Sequence, residues 1–117
     1  MWVFTETGFV SAVRKNDRPD LITVRSRDQK SLEPLAQLSG SEVIVTPFGD
    51  YQFRTSVEAD VFADWVADQA TAIDYDNFKN RVAQTRGYDF ASALNNVWVA
   101  MLKTAQETFQ DSTNKTN

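Results

Sequence analysis

Apolar residues alternate with polar ones along the first half of the chain and recur at three- and four-residue spacing along the second. Residues 1–5 put Trp2 and Phe4 on one side and Val3 on the other, which predicts an extended run. Gly8 is expected as a bend or bulge inside that run, which continues to Arg14. KNDRPD (residues 15–20) is dense in turn formers, and Pro19 has no N–H to give a central ladder. Residues 21–27 alternate again, with Ile22 and Val24 opposite Thr23, Arg25 and Arg27. The two runs predict a hairpin.

A helix is expected next. Leu32, Leu35 and Leu38 recur at threefold spacing, and Asp28 or Ser31 can cap it. Pro34 is compatible only with a first turn, which favours a start near Ser31. Gly40 sits where a helix ends. Residues 42–46 are β-branched, PFGD (47–50) reads as a turn, and residues 51–57 alternate. Tyr51, Phe53, Thr55 and Val57 fall on one face, and Gln52, Arg54 and Ser56 on the other. This predicts a second hairpin.

The period then becomes helical. Over residues 59–73, Phe62, Trp65, Val66, Ala70 and Ile73 form one apolar stripe. Asp74 or Asp76 can cap a brief helix through NFKNRVAQ, and Gly87 interrupts it. Asp89 can cap a last helix with Leu94, Val97, Trp98, Met101, Leu102 and Ala105 on its apolar side. From Gln106 the residues turn polar, so residues 106–117 are expected as a flexible tail with Phe109 as its anchor. The expected fold is therefore α+β: a two-layer sandwich with a four-stranded antiparallel sheet, in the order β-β-α-β-β-α-α, and helices on one face. Residues 1–105 are expected as one domain. Trp2, Trp65 and Trp98 are expected to meet in its core; in the other reading, Trp2 and Phe4 border an exposed patch used for dimerisation.

Composition narrows the function. The chain has 117 residues, 42% hydrophobic and 24% charged, the range of an ordinary globular domain. No apolar run approaches the ~20 residues of a membrane span. The first residues lack a basic stretch followed by an apolar one, so no signal peptide is expected. There is no Cys, which fits a reducing cytoplasm, the expected location. With neither His nor Cys there is no zinc site, and DYDNF lacks the glycine and terminal glutamate of a calcium loop. No nucleophile has an activating base, and the four Gly are isolated, so no phosphate loop exists. The expectation is a non-catalytic protein with no metal and no cofactor.

Charge supplies the candidate surfaces. The formal net charge is −4. Residues 55–78 hold six carboxylates and no Lys or Arg. Asp60, Asp64 and Asp68 lie four apart, so on a helix they stack into one stripe beside Glu58, at a repulsive cost of a few tenths of a kcal/mol per pair. This face is the expected contact for a protein partner with a basic surface, from a monomer or a homodimer. The alternative surface is basic. Arg25, Arg27 and Arg54 project from the sheet face opposite the apolar set and form a candidate platform for single-stranded nucleic acid. Two features oppose that alternative: alternation puts Tyr51 and Phe53 opposite Arg54, and the overall acidity disfavours phosphate as the main partner.

Several segments resemble a family of small uncharacterised bacterial and phage proteins. It is marked by a WxFTxxGFxSxV stretch, here Trp2, Phe4, Thr5, Gly8, Phe9, Ser11 and Val13. A basic strand follows, here Val24 to Arg27, then Asp50, Tyr51 and Arg54, an IDYxNFK segment from Ile73, and a late Trp like Trp98. The resemblance implies a recurring small fold and supplies no mechanism. It also implies that Asp74, Tyr75, Asn77 and Lys79 form a structured junction, with Asp74 capping the amides of Asn77 and Phe78. It adds the expectation of an accessory factor from a phage or mobile element that engages a host protein.

Overall fold

The computed structural model describes residues 1–115. The elements are β1 (Trp2–Thr5), β2 (Gly8–Val13), β3 (Leu21–Ser26), α1 (Gln29–Ser39), β4 (Ile44–Val45), β5 (Phe53–Glu58), α2 (Ala59–Thr71), α3 (Phe78–Arg86) and α4 (Tyr88–Lys115). The class is α+β. The sheet is antiparallel throughout, in the order β1-β2-β3-β5-β4. Two compact units divide the chain, Met1–Asp76 and Asn77–Asn117.

The sheet has five strands, not the four expected, because the first run folds back on itself, and the observed order β-β-β-α-β-β-α-α-α, with four helices among the described residues, replaces the expected β-β-α-β-β-α-α. Thr5 pairs with Gly8, so Glu6 and Thr7 form a two-residue hairpin turn where a mere bend was expected. Gly8 takes φ 148°, a value side-chain-bearing residues avoid. Cross-strand aromatics support the hairpin: Phe4 stacks on Phe9 with ring centroids 4.6 Å apart, and Trp2 meets Phe9 edge-on at 5.5 Å.

One sheet face is apolar and carries the core. Val10, Ala12, Val24 and Val57 pack against Leu32 and Leu35 of α1 and Phe62 and Trp65 of α2. These side chains are buried, and removing such surface from water is the main stabilising term in a domain this small. The start of α1 differs from the expected one. Asp28 caps it, accepting from the Ser31 N–H at 2.9 Å, so Pro34 lies inside the helix instead of its first turn. Ser31 is buried and accepts from the Phe9 N–H at 3.1 Å, tying α1 to β2. The stripe is also shorter than threefold spacing implied: Leu38 is 53% exposed.

Only Trp65 of the three tryptophans is in the core. Trp2 is 69% exposed and Trp98 56%. Trp2 lies on the sheet face away from the helices, paired with Ser11. The α2 stripe also ends early, since the helix stops at Thr71 and leaves Ile73 exposed.

In the second unit α3 packs on α4. Asn77, not Asp74 or Asp76, caps α3, accepting from the Asn80 N–H at 3.1 Å. Gly87, at φ 95°, ends it and lets the chain turn directly into α4. That helix begins one residue before Asp89 and runs through the stretch expected as a tail. Thr104 and Thr108 donate their hydroxyls to the carbonyls of Ala100 and Thr104, which satisfies polar side chains within the helix. Phe109, the expected anchor of that stretch, is 73% exposed. The last two positions of the expected tail, 116 and 117, lie outside the described residues.

The two leucines of α1 give a direct test of this layer. Leu35→Ala should lower the unfolding free energy by about 2–5 kcal/mol, whereas Leu38→Ala should change it by no more than about 0.5 kcal/mol. Urea denaturation of the two variants measures both.

Candidate functional site

Glu58, Asp60, Asp64 and Asp68 are all exposed on α2 or at its N-cap. Phe62 and Trp65 turn inward on the same helix, which obliges the aspartate stripe to face water. None of the four carboxylates forms an ion pair among the described residues. The stripe is not flat. Asp64 and Asp68 rim a shallow groove of about 380 Å³ between α1 and α2, whose remaining lining is Leu38, Val61 and Ala67. Sequence periodicity grouped Leu38 with Leu32 and Leu35 on one helix stripe, and it missed the groove that this residue lines.

The opposite sheet face carries the arginines. Register sets Ser11, Arg25, Arg54 and Ile44 in one row across β2, β3, β5 and β4. Arg25 donates from Nη2 to Ser11 Oγ at 2.9 Å. Tyr51 lies under this row and is only 5% exposed. The guanidinium carbons of Arg25 and Arg27 stand 4.5 and 4.8 Å from its ring centroid. Asp50 closes the group: its carbonyl accepts from Arg27 Nε at 3.4 Å, and its carboxylate lies 3.8 Å from Arg54 Nη2 and accepts from the Tyr51 N–H at 3.0 Å.

This arrangement corrects the alternation argument. Tyr51 precedes β5, which begins at Phe53, so the period-two rule does not reach it. Aromatics and arginines therefore share one face, with Trp2, Phe4 and Phe9 on its β1–β2 side. The arginines are nonetheless largely engaged. Arg25 and Arg54 are half-buried, and the Nε of each is buried with no hydrogen-bond partner. Cation–π attraction to Tyr51 replaces part of the hydration that Arg25 and Arg27 lose. Arg27 alone of the three is exposed.

The IDYxNFK junction is structured at Asn77 and Lys79. Lys79 donates to Asn95 Oδ1 at 3.1 Å and stands 5.3 Å from the ring centroid of Trp98. No three His, Cys, Asp or Glu residues come together as a metal-binding group among the described residues. No helix there is long and apolar enough to cross a membrane. No protein-family model, curated protein or solved structure matches the chain.

The Tyr51 cluster is open to a thermodynamic test. A double-mutant cycle of Arg25→Ala and Tyr51→Ala should show a coupling energy of about 0.5–1 kcal/mol, the value expected for a partly exposed cation–π pair. Thermal unfolding of the four proteins gives it.

Proposed function

We propose that this chain is a non-catalytic protein-binding module whose partner presents a basic surface to the acidic face of α2. The observation that carries the reading is the groove: Asp64 and Asp68 stand beside Leu38, Val61 and Ala67 on one exposed surface. Carboxylates next to exposed aliphatic groups match a segment that offers Lys or Arg together with an apolar side chain. Charge steers such a partner and sets its register, and the apolar contact supplies affinity. Glu58 and Asp60 extend the field toward the start of the helix. The motif resemblance to small bacterial and phage proteins supports an accessory role in a phage or mobile element, with a host protein as partner.

A labelled peptide that combines Lys with Leu is a suitable probe. Its fluorescence anisotropy should show binding that weakens as salt rises through the range where the Debye length falls from about 30 to 10 Å. Asp64→Lys combined with Asp68→Lys should weaken binding at least about tenfold, the effect of some 1.4 kcal/mol, with an unchanged or raised Tm because like-charge repulsion along the stripe is relieved. Equal affinity of variant and parent at low salt would end the proposal.

A second reading has one observation in its favour, the shared face of Trp2, Phe9, Tyr51 and the three arginines. It makes that face a contact for single-stranded nucleic acid, with Trp2 as the exposed stacking ring and Arg27 as the exposed phosphate contact. A fluorescent oligothymidylate should then bind at low salt and be released as salt rises, and Arg27→Ala should weaken it. No anisotropy change at low salt removes this reading.

A further inference from the structure

The sheet has two free edges, and they differ. On one, β4 is two residues long, too short to template another strand. On the other, β1 is four residues long and carries neither a charge nor a proline. Its outward hydrogen-bonding groups can be identified. Met1 N donates to the Ala12 carbonyl at 2.9 Å, and Ala12 N donates to the Met1 carbonyl at 2.8 Å, so residues 1 and 12 are a reciprocally bonded pair. In an antiparallel ladder bonded and non-bonded pairs alternate. The register then makes Val3 with Val10 and Thr5 with Gly8 the next bonded pairs, and places Trp2 and Phe4 at non-bonded positions opposite Ser11 and Phe9. The N–H and C=O groups of Trp2 and Phe4 consequently point away from β2, off the edge of the sheet.

A cleft lies beside this edge. It encloses about 360 Å³ and is bounded on the strand side by Val3, Phe4 and Thr5 and on the helix side by Ala70, Ile73 and Tyr75. All of these residues belong to the first compact unit. A strand added to β1 would lie about 4.8 Å from it. Its alternate side chains would fall on the same face as Val3 and Thr5, which is the face that opens into the cleft. Backbone pairing at an edge plus a side-chain pocket between that edge and a helix is the physical basis of strand-addition recognition.

We propose that β1 and this cleft form a binding site for an extended peptide segment of a partner, which adds a sixth strand and places a branched apolar side chain between β1 and the end of α2. The lining is apolar at Val3, Phe4, Ala70, Ala72 and Ile73 and holds no Lys or Arg, so the side chain that the segment inserts there is uncharged and apolar. A second copy of this chain fits the site poorly. The β1 side chains it would turn to the cleft are Val3 and Thr5, of which Val3 packs on its own core and Thr5 is buried. The site is separate from the α1–α2 groove and does not depend on the function assigned to that groove.

The probe is an acetylated hexapeptide alternating Lys and Val, compared with an analogue N-methylated at alternate amides. On titration into the full chain, the amide resonances of Trp2 and Phe4 should shift and gain protection from hydrogen exchange. N-methylation should weaken binding by about tenfold, the loss of one or two edge hydrogen bonds. Ala70→Trp, at an exposed position in the cleft wall, should abolish the shifts while leaving the Tm unchanged. Phe4→Pro removes one outward donor at an edge position that tolerates proline, and should weaken the peptide as N-methylation does. Equal binding of the two peptides, or shifts confined to Asp64 and Asp68, would overturn the proposal. So would protection of Trp2 and Phe4 in a dimer without peptide, which would assign the edge to a second copy.

Discussion

Everything in the first unit follows from one apolar contact, the closure of α1 and α2 over Val10, Val24 and Val57. Leu32, Leu35, Phe62 and Trp65 complete it, and each is buried. Because side chains on a helix are fixed in direction relative to one another, pinning Phe62 and Trp65 inward leaves Asp60, Asp64 and Asp68 no direction but outward. Because strand side chains alternate, pinning Val10, Val24 and Val57 toward the helices sends Ser11, Arg25 and Arg54 to the opposite face. The charge separation of the unit, acidic on its helices and basic on its sheet, is thus a consequence of how the core closes. Polar ties support it: the Asp28 cap and the Ser31–Phe9 bond hold α1 at one rotation over β2.

The two charged faces differ in how far they are occupied internally. The arginines are engaged by Ser11, Tyr51 and Asp50, so the sheet face has consumed much of its own hydrogen-bonding capacity. The α2 carboxylates have no such partners among the described residues, and two of them border exposed aliphatic groups. Free carboxylates beside exposed apolar surface favour an external partner; arginines locked over a buried tyrosine favour structure. This contrast ranks protein binding above nucleic-acid binding. The free edge of β1 adds a third kind of surface, defined by backbone groups instead of charge.

Element types were legible where periodicity ran without interruption. Alternation through Val24 and Val57 and the helical spacing of Phe62 and Trp65 identified core residues because a single face of each element is buried. Misreadings cluster where one residue decides between two local geometries. Gly8 permits a bulge or a tight hairpin, and only the pairing of Phe4 with Phe9 selects the hairpin. Asp28 and Ser31 are equally good caps in isolation, but Ser31 is engaged by the Phe9 amide. Leu38, Ile73 and Trp98 match their helical or near-helical stripes, yet each lies where no further layer buries it. Tyr51 was assigned to the wrong face because it precedes the strand proper.

The sequence by itself determined the class of fold, the positions of most helices and strands, and the presence of an acidic helix face. Those properties depend on spacing and residue type over a few neighbours, which a linear pattern records. Tertiary structure alone decided the fifth strand, the grouping of Tyr51 with Arg25 and Arg27, the groove that gives Asp64 and Asp68 an apolar neighbour, and the cleft beside β1. Each brings together residues distant in the chain, and no short-range period encodes which of them meet. Their meeting is set by how the layers close and where the sheet ends.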